Sequence, residues 1–244
     1  MIDHDEYYAD RFAESYDAWC DMLPDTDATV ACLSELAGFG PVLELGIGTG
    51  RVALPLKERG LEVHGVDRSE AMVSQLRAKP GGDGIPVTIG DFSEVPVEGT
   101  FSLVFLASGT FFELPSPEAQ LRCFQNVAKA LAPDGLFVFD SMMPDSSRRF
   151  NNQDVGIVPT RGNQLVLQFR QYYPHEQRST CDYVIICDND VRHMRVRFRY
   201  AWPAELDLMA RLAGLRLRDR WGSWRRGAFT AASTHHVAVY ELPR

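Results

Sequence analysis

The stretch that most constrains the fold runs over residues 41–67, PVLELGIGTGRVALPLKERGLEVHGVD. Residues 42–45 form an apolar run too short for a helix, bounded by Pro41 and Gly46, and read as a buried strand. Gly46, Gly48 and Gly50 follow, then a helical pattern that Gly60 stops. Residues 61–66 read as the next strand, with Asp67 at its carboxyl end. Strand, glycine turn, helix and strand make a parallel β-α-β unit, and in such sheets ligands bind beyond the carboxyl ends of the strands. Glycines there permit backbone angles closed to other residues and let a ligand lie against the main chain.

An acid at the tip of the second strand can accept hydrogen bonds from both hydroxyls of a ribose, so a nucleoside-containing cofactor is expected. Spacing narrows the choice. In the dinucleotide fingerprint the third glycine comes three residues after the second. Arg51 holds that position here, and the third glycine comes one residue early, at Gly50. The pyrophosphate-binding form is therefore not matched. With Glu44 the pattern is E-x-G-x-G-x-G, and in this the chain resembles the class I methyltransferases that use S-adenosylmethionine (SAM). The resemblance implies a Rossmann-like, seven-stranded, mostly parallel sheet with helices on both faces. It also implies methyl transfer, with S-adenosylhomocysteine as product. The segment LAPDGLFVFD at 131–140 resembles the family's pre-strand motif, with Asp134 where glycine is usual; Asp is tolerated at such a turn.

Composition excludes other classes. The 244 residues carry 45% hydrophobic and 24% charged side chains, ordinary for a globular chain able to bury a core. A net charge of −8 argues against a nucleic-acid partner. So does Ser108-Gly109-Thr110-Phe111 after the fourth strand, where nucleic-acid methyltransferases carry an N/D-P-P-Y/F motif. The acidic start, MIDHDEYYADRF, does not read as a signal peptide, and no run nears the ~18–20 apolar residues of a membrane helix. Five cysteines without a C-x-x-C pair favour reduced thiols and a cytoplasmic location. No structural zinc spacing is present, and no metal is expected.

The chain divides into four expected parts. Residues 1–40 read as an N-terminal helical lid, with Tyr7, Tyr8, Phe12, Tyr16 and Trp19 at helical spacing and a second helix from about 28 to 37, capped by Asp25 or Thr26. Residues 41–140 form the cofactor-binding core. Its helix after Asp67 is capped by Ser69, and its further strands lie at 85–89, 101–107 and 136–139, with a helix at 117–131. Residues 141–200 change character: 165–173, 180–187 and 192–200 alternate polar and apolar, as in an antiparallel meander. This inserted β cap resembles those of sugar N-methyltransferases and glycine-methylating enzymes. Its Arg170, Arg178, Arg195, Arg197 and Arg199 offer cations for an anionic acceptor. Residues 201–244 complete the core sheet with a helix and two strands.

The resemblance implies the cofactor positions. Glu44, Gly46, Gly48 and Gly50 surround the methionine end, with Arg51 near its carboxylate. Asp67 takes the ribose, and Asp91, Phe92 and Arg68 the adenine. Ala107 and Ser108 flank the sulfonium, and Tyr16 faces the methionine end from the lid. The acceptor is expected to be a small molecule methylated on O or N, by a monomer or homodimer. A SAM-binding protein of the same fold without transfer is the alternative. Transfer requires a nucleophile held in line with the methyl, with water excluded. A base is needed only if the nucleophile carries a proton at neutral pH. Candidates are His235 and His236, which stand at the loop facing the acceptor, together with Tyr16, and behind these His175, His193 and Asp140.

Overall fold

The computed structural model describes residues 8–20, 25–144, 152–158, 164–187 and 190–243. Two sheets organise the chain. The larger has seven strands: β1 (Val42–Leu45), β2 (Val63–Asp67), β3 (Val87–Ile89), β4 (Phe101–Leu106), β5 (Leu131–Met142), β10 (Arg216–Trp221) and β11 (His235–Glu241). Their order is β10-β11-β5-β4-β1-β2-β3. The strands from β3 to β5 run parallel, and β11 enters antiparallel to β5 and β10. The helices are α1 (Tyr8–Cys20), α2 (Thr26–Ala37), α3 (Ala53–Glu58), α4 (Glu70–Arg77), α5 (Pro117–Ala130) and α6 (Pro203–Leu212). No helix among the described residues is long and apolar enough to cross a membrane.

Alternation along the central strands splits the core in two. Val104, Leu106, Phe137, Phe139, Ala238 and Tyr240 join α5 and α6 on one face. Leu103, Phe105, Val138, Val237 and Val239 join α2 and α3 on the other. Covered on both faces, these strands read as continuous apolar runs, as buried parallel sheets do. The first face is dominated by rings: Phe111 stacks on Phe139 at 4.5 Å, and Phe124 meets Phe137 edge-on at 5.3 Å.

The second sheet is an antiparallel meander, β6 (Gln153–Val158), β7 (Gln164–Tyr173), β8 (Arg178–Cys187) and β9 (Asp190–Arg199). Arg199 fastens it to the core. Only 4% exposed, Arg199 donates to Gln120 of α5 at 2.6 Å and pairs with Glu205 of α6. Gln120 returns a hydrogen bond to the Arg199 carbonyl at 2.8 Å. Phe12 of α1 packs with Met194 and Val196 of β9, so the N-terminal helix touches this sheet as well.

Several elements differ from the sequence expectation. β3 begins at Val87 rather than 85, because Pro86 has no N–H to give the ladder; its carbonyl accepts from Gly65 instead. Leu131 opens β5 rather than closing α5, and β5 continues to Met142 because β11 pairs along it to that point. β6 carries no strand signal in QDVGIV: it is an exposed edge formed by pairing with β7. Ser69 caps α4 as expected, accepting the Met72 N–H at 3.2 Å. Asp25 makes no side-chain cap to α2; its carboxylate is taken by Arg225. Most of the polar 145–152 stretch, the turn residues 188–189, Tyr7 and the side chains of Tyr8 and Trp19 lie outside the described residues.

Phe124 is fully buried and edge-on to Phe111, Phe137 and Tyr240. Phe124→Ala is expected to cost about 3–5 kcal/mol of folding stability, read from urea unfolding midpoints. A loss under about 1 kcal/mol contradicts this packing account.

Candidate active site

The carboxyl ends of β1, β2, β4 and β5 converge on one edge of the large sheet, and each ends in a residue that shapes the site. The glycine turn leaves β1 and folds back on β2: the Gly46 and Ile47 N–H groups donate to the Val66 carbonyl at 2.8 and 3.1 Å. Asp67 completes the clasp. Its Oδ2 accepts from the Gly48 N–H at 2.7 Å and its Oδ1 from the Ser69 N–H at 2.9 Å. Burial, at 6% exposure, pushes its carboxyl upward, opposed by the Ser69 and Gly48 amides. The Arg68 N–H is a third amide on this carboxylate, which leaves it about one of its four lone-pair sites.

The glycines do different work. Gly48, at φ 54°, has nothing within 4 Å of where a Cβ would stand, so its face of the main chain is open. Gly50, at φ 81°, would place a Cβ 2.3 Å from Leu76 Cδ1, so it is needed for α4 to pack. Behind the turn, Glu44 is 4% exposed; burial pushes its carboxyl up to about 8, with Arg51 opposing. Its Oε2 has no hydrogen-bond partner among the described residues.

Helix α1 is tied to the turn. Asp17 accepts from the Thr49 hydroxyl at 2.6 Å and pairs with Lys79 at 2.6 Å, while Lys79 also donates to the Thr49 carbonyl at 2.7 Å. Further along, the Ser69 hydroxyl donates to Asp10. Tyr16 is half-buried on the face of α1 that packs Ala9 and Ala13 on Met72 of α4. The Tyr16-Asp17 pair is legible in sequence; Thr49 and Lys79 are not, because nothing local marks them as its partners.

At the tip of β3, Asp91 is exposed and accepts the Ser93 N–H at 2.8 Å, while Phe92 is 8% exposed within the core. Arg68 is exposed beside Asp67. At the tip of β4, Ala107 is buried, and Ser108 and Gly109 both take left-handed backbone angles, φ 65° and 75°. A serine in that conformation is locally strained, as residues at functional sites often are. Arg51 links this tip to α2, donating to Thr26 Oγ1 at 2.7 Å and to Ser108 Oγ. At the tip of β5, Asp140 accepts main-chain hydrogen bonds from Gly109, long at 3.4 Å, and from Ser108. Burial pushes its carboxyl up to about 6, with Gly109 and Arg51 opposing.

Between these tips and the second sheet lies a cavity of about 390 Å³. Arg51, Ser108, Gly109 and Asp140 form its floor; Arg170, Tyr183 and Phe198 come from the second sheet, and Ser223, Trp224 and His235 from the β10–β11 side. His235 and His236 differ sharply. His235 is exposed, and its charged form is disfavoured by partial desolvation and by Arg170. His236 is fully buried, with Nε2 3.0 Å from the Ser141 hydroxyl and its ring against Phe229. Burial, then Arg220, pushes His236 down to about 4. His175 pairs with Glu176 and His193 with Asp182 elsewhere on the second sheet.

Comparison with known proteins agrees with this geometry. A family model described as a methyltransferase domain matches residues 42–135. The solved CcbJ methyltransferase from Streptomyces caelestis is 37% identical, with a TM-score of 0.89, covering 97% of this chain and 98% of that one. The curated cypemycin N-terminal methyltransferase from a Streptomyces species is 26% identical, over 96% of this chain and 97% of the relative. The sugar N-methyltransferase KedS8 from Streptoalloteichus, at 18% identity and a TM-score of 0.70 over 98% of each chain, shares the fold. The chain belongs to the class I SAM-dependent methyltransferase family. Its residues fit that cofactor: bare main chain at Gly48, a buried carboxylate at Asp67, and a Glu44 Oε2 behind the turn without a partner among the described residues.

His236 also makes a prediction about stability. A folded-state value near 4 against an ordinary 6.5 means that its neutral form stabilises the fold fully above pH 6.5. That contribution, about 3 kcal/mol, is lost as pH falls from 6.5 toward 4. Urea unfolding across that range should show the loss, and His236→Phe should flatten it; an unchanged slope contradicts the assignment.

Proposed function

We propose that this chain transfers the methyl group of SAM to an amine nitrogen of a small acceptor seated in the 390 Å³ cavity. The observation that carries the reading is Asp140, a carboxylate on the cavity floor held by main-chain N–H groups and in no ion pair among the described residues. The cypemycin N-terminal methyltransferase matches along nearly the whole chain, and the N-terminal target in its name supports an amine over other nucleophiles.

The residue roles follow from position. Asp67 holds the ribose hydroxyls, while Glu44, Gly46, Gly48 and Gly50 form the wall around the methionine end. Arg51 reaches the methionine carboxylate. Arg68 and Asp91 flank the adenine, and Phe92 anchors the Asp91 turn in the core. Ala107 and Ser108 border the sulfonium. When bound, SAM supplies a methyl group on a positively charged sulfur that leaves as a neutral thioether. Asp140 attracts the acceptor's ammonium group, takes the proton whose loss frees the nitrogen lone pair, and orients that lone pair; the methylated nitrogen then carries the positive charge that leaves the sulfur. The second sheet and α1, with Tyr16, exclude water from the reacting groups. Residues 41–140 with 201–244 thus act as the cofactor-binding core, 1–40 as the lid and 141–200 as the cap. A hydroxyl acceptor is the second reading: His235, held neutral beside Arg170, has the protonation state needed to take a hydroxyl proton.

Two experiments test these roles. Asp67→Ala should weaken SAM binding by about 1–3 kcal/mol in calorimetry; unchanged affinity removes Asp67 from the ribose. Turnover, followed as S-adenosylhomocysteine release with primary and secondary amines, should fall as pH drops through about 6, where Asp140 protonates. Asp140→Asn should lower kcat/KM roughly ten- to hundred-fold, the scale of a lost charge-assisted hydrogen bond, and abolish that acid limb. An intact limb contradicts the role of Asp140.

A further inference from the structure

We propose that the acceptor is a zwitterion, an α-amino acid with a bulky apolar side chain, whose carboxylate is held by Arg170 while its amine faces Asp140. This deepens the amine reading above and rests on it.

Charges around the cavity are not all paired within the protein. Asp25, on its rim, is engaged by Arg225 through two hydrogen bonds of 2.9 and 2.6 Å. Arg51 is engaged by the Thr26 and Ser108 hydroxyls. Arg170 is different. Four other arginines of the second sheet have acid partners: Arg178 with Glu176, Arg192 with Asp190, Arg195 with Asp182 and Arg199 with Glu205. Arg170 has no ion-pair partner among the described residues. Its guanidinium lies 3.6 Å from Met142 Sδ and 4.0 Å from Cys181 Sγ, both weak acceptors, and its one oxygen partner among the described residues is the neutral Tyr172 hydroxyl. Its Nε is buried without a hydrogen bond. A half-buried cation without a counter-charge is costly. It also disfavours charge on neighbouring His235. An anion entering from outside relieves both costs.

Strand geometry sets the spacing. Asp140 and Met142 are two residues apart on β5 and so share a face, about 7 Å apart along the strand. Arg170 meets Met142, so the free cation and the free carboxylate stand about one such step apart. Two charge-assisted hydrogen bonds of about 2.8 Å, joined by the short N–Cα–C–O link of an amino acid, fill that span. A single guanidinium matches one carboxylate charge and leaves a phosphate dianion half-neutralised. The cavity exceeds what a backbone zwitterion needs: at about 30 Å³ per water it holds roughly a dozen. Tyr183, Phe198 and Trp224 line the remainder, a surface suited to an aromatic or long aliphatic side chain.

The test is calorimetry on the protein saturated with S-adenosylhomocysteine. Phenylalanine, tryptophan, leucine and glycine are titrated beside the corresponding amino-acid amides, which keep the amine and lose the carboxylate. Expected are binding of the large amino acids, ten- to hundred-fold weaker binding of their amides, and loss of that difference in Arg170→Gln. Arg170→Lys should retain part of it, and S-adenosylhomocysteine affinity serves as the folding control for both variants. Equal binding of acids and amides, or a preference that survives Arg170→Gln, overturns the proposal. Turnover measured in parallel separates the two claims. Methylation of amides as fast as acids leaves amine methylation standing and removes the carboxylate site. Methylation of neither, nor of any other amine, removes both.

Discussion

One carboxylate holds the site together. Asp67 closes β2 and binds the Gly48 amide of the turn that leaves β1 and the Ser69 amide that opens α4. The turn also rests on two hydrogen bonds to the Val66 carbonyl and on Asp17 and Lys79 at Thr49, but the Asp67 clasp is the one that holds the Gly48 amide. With it, bare main chain and a carboxylate lie side by side at the carboxyl edge of the sheet. The buried core imposes the same geometry from below, since Gly50 admits Leu76 of α4 and the alternating faces of β4, β5 and β11 lock the strand register.

The second half of the site is an arrangement of charge rather than of backbone. Asp140 and Arg170 come from different sheets, line one cavity, and have no ion-pair partner among the described residues. They face the same cavity because Arg199, Gln120 and Glu205 pin the meander onto α5 and α6. Helix α1 adds a third wall, fixed by Asp17 to Thr49 and Lys79. Arg51 joins the tip of β4 to α2 along the cavity floor, through Ser108 and Thr26.

Much of this was legible in the chain itself. The glycine spacing, the acid at 67 and the apolar strands identify the sheet and its ligand edge, because local patterning and burial say the same thing there. The meander was readable from its alternation. What escaped were features made by distant partners. β6 exists only as an edge against β7, β5 is lengthened by β11, and Asp25 abandons a helix cap for Arg225, 200 positions away. The histidines show the same limit. His235 and His236 are neighbours in sequence and both border the cavity, yet strand alternation leaves one exposed and buries the other against Ser141.

A crystal structure with S-adenosylhomocysteine tests the central claim most directly. The account predicts the ribose hydroxyls on the Asp67 carboxylate, the amino-acid end along the open face of Gly48, and the sulfur opening toward the cavity between Ser108 and Asp140. A nucleoside bound away from Asp67, or a sulfur facing away from that cavity, contradicts it.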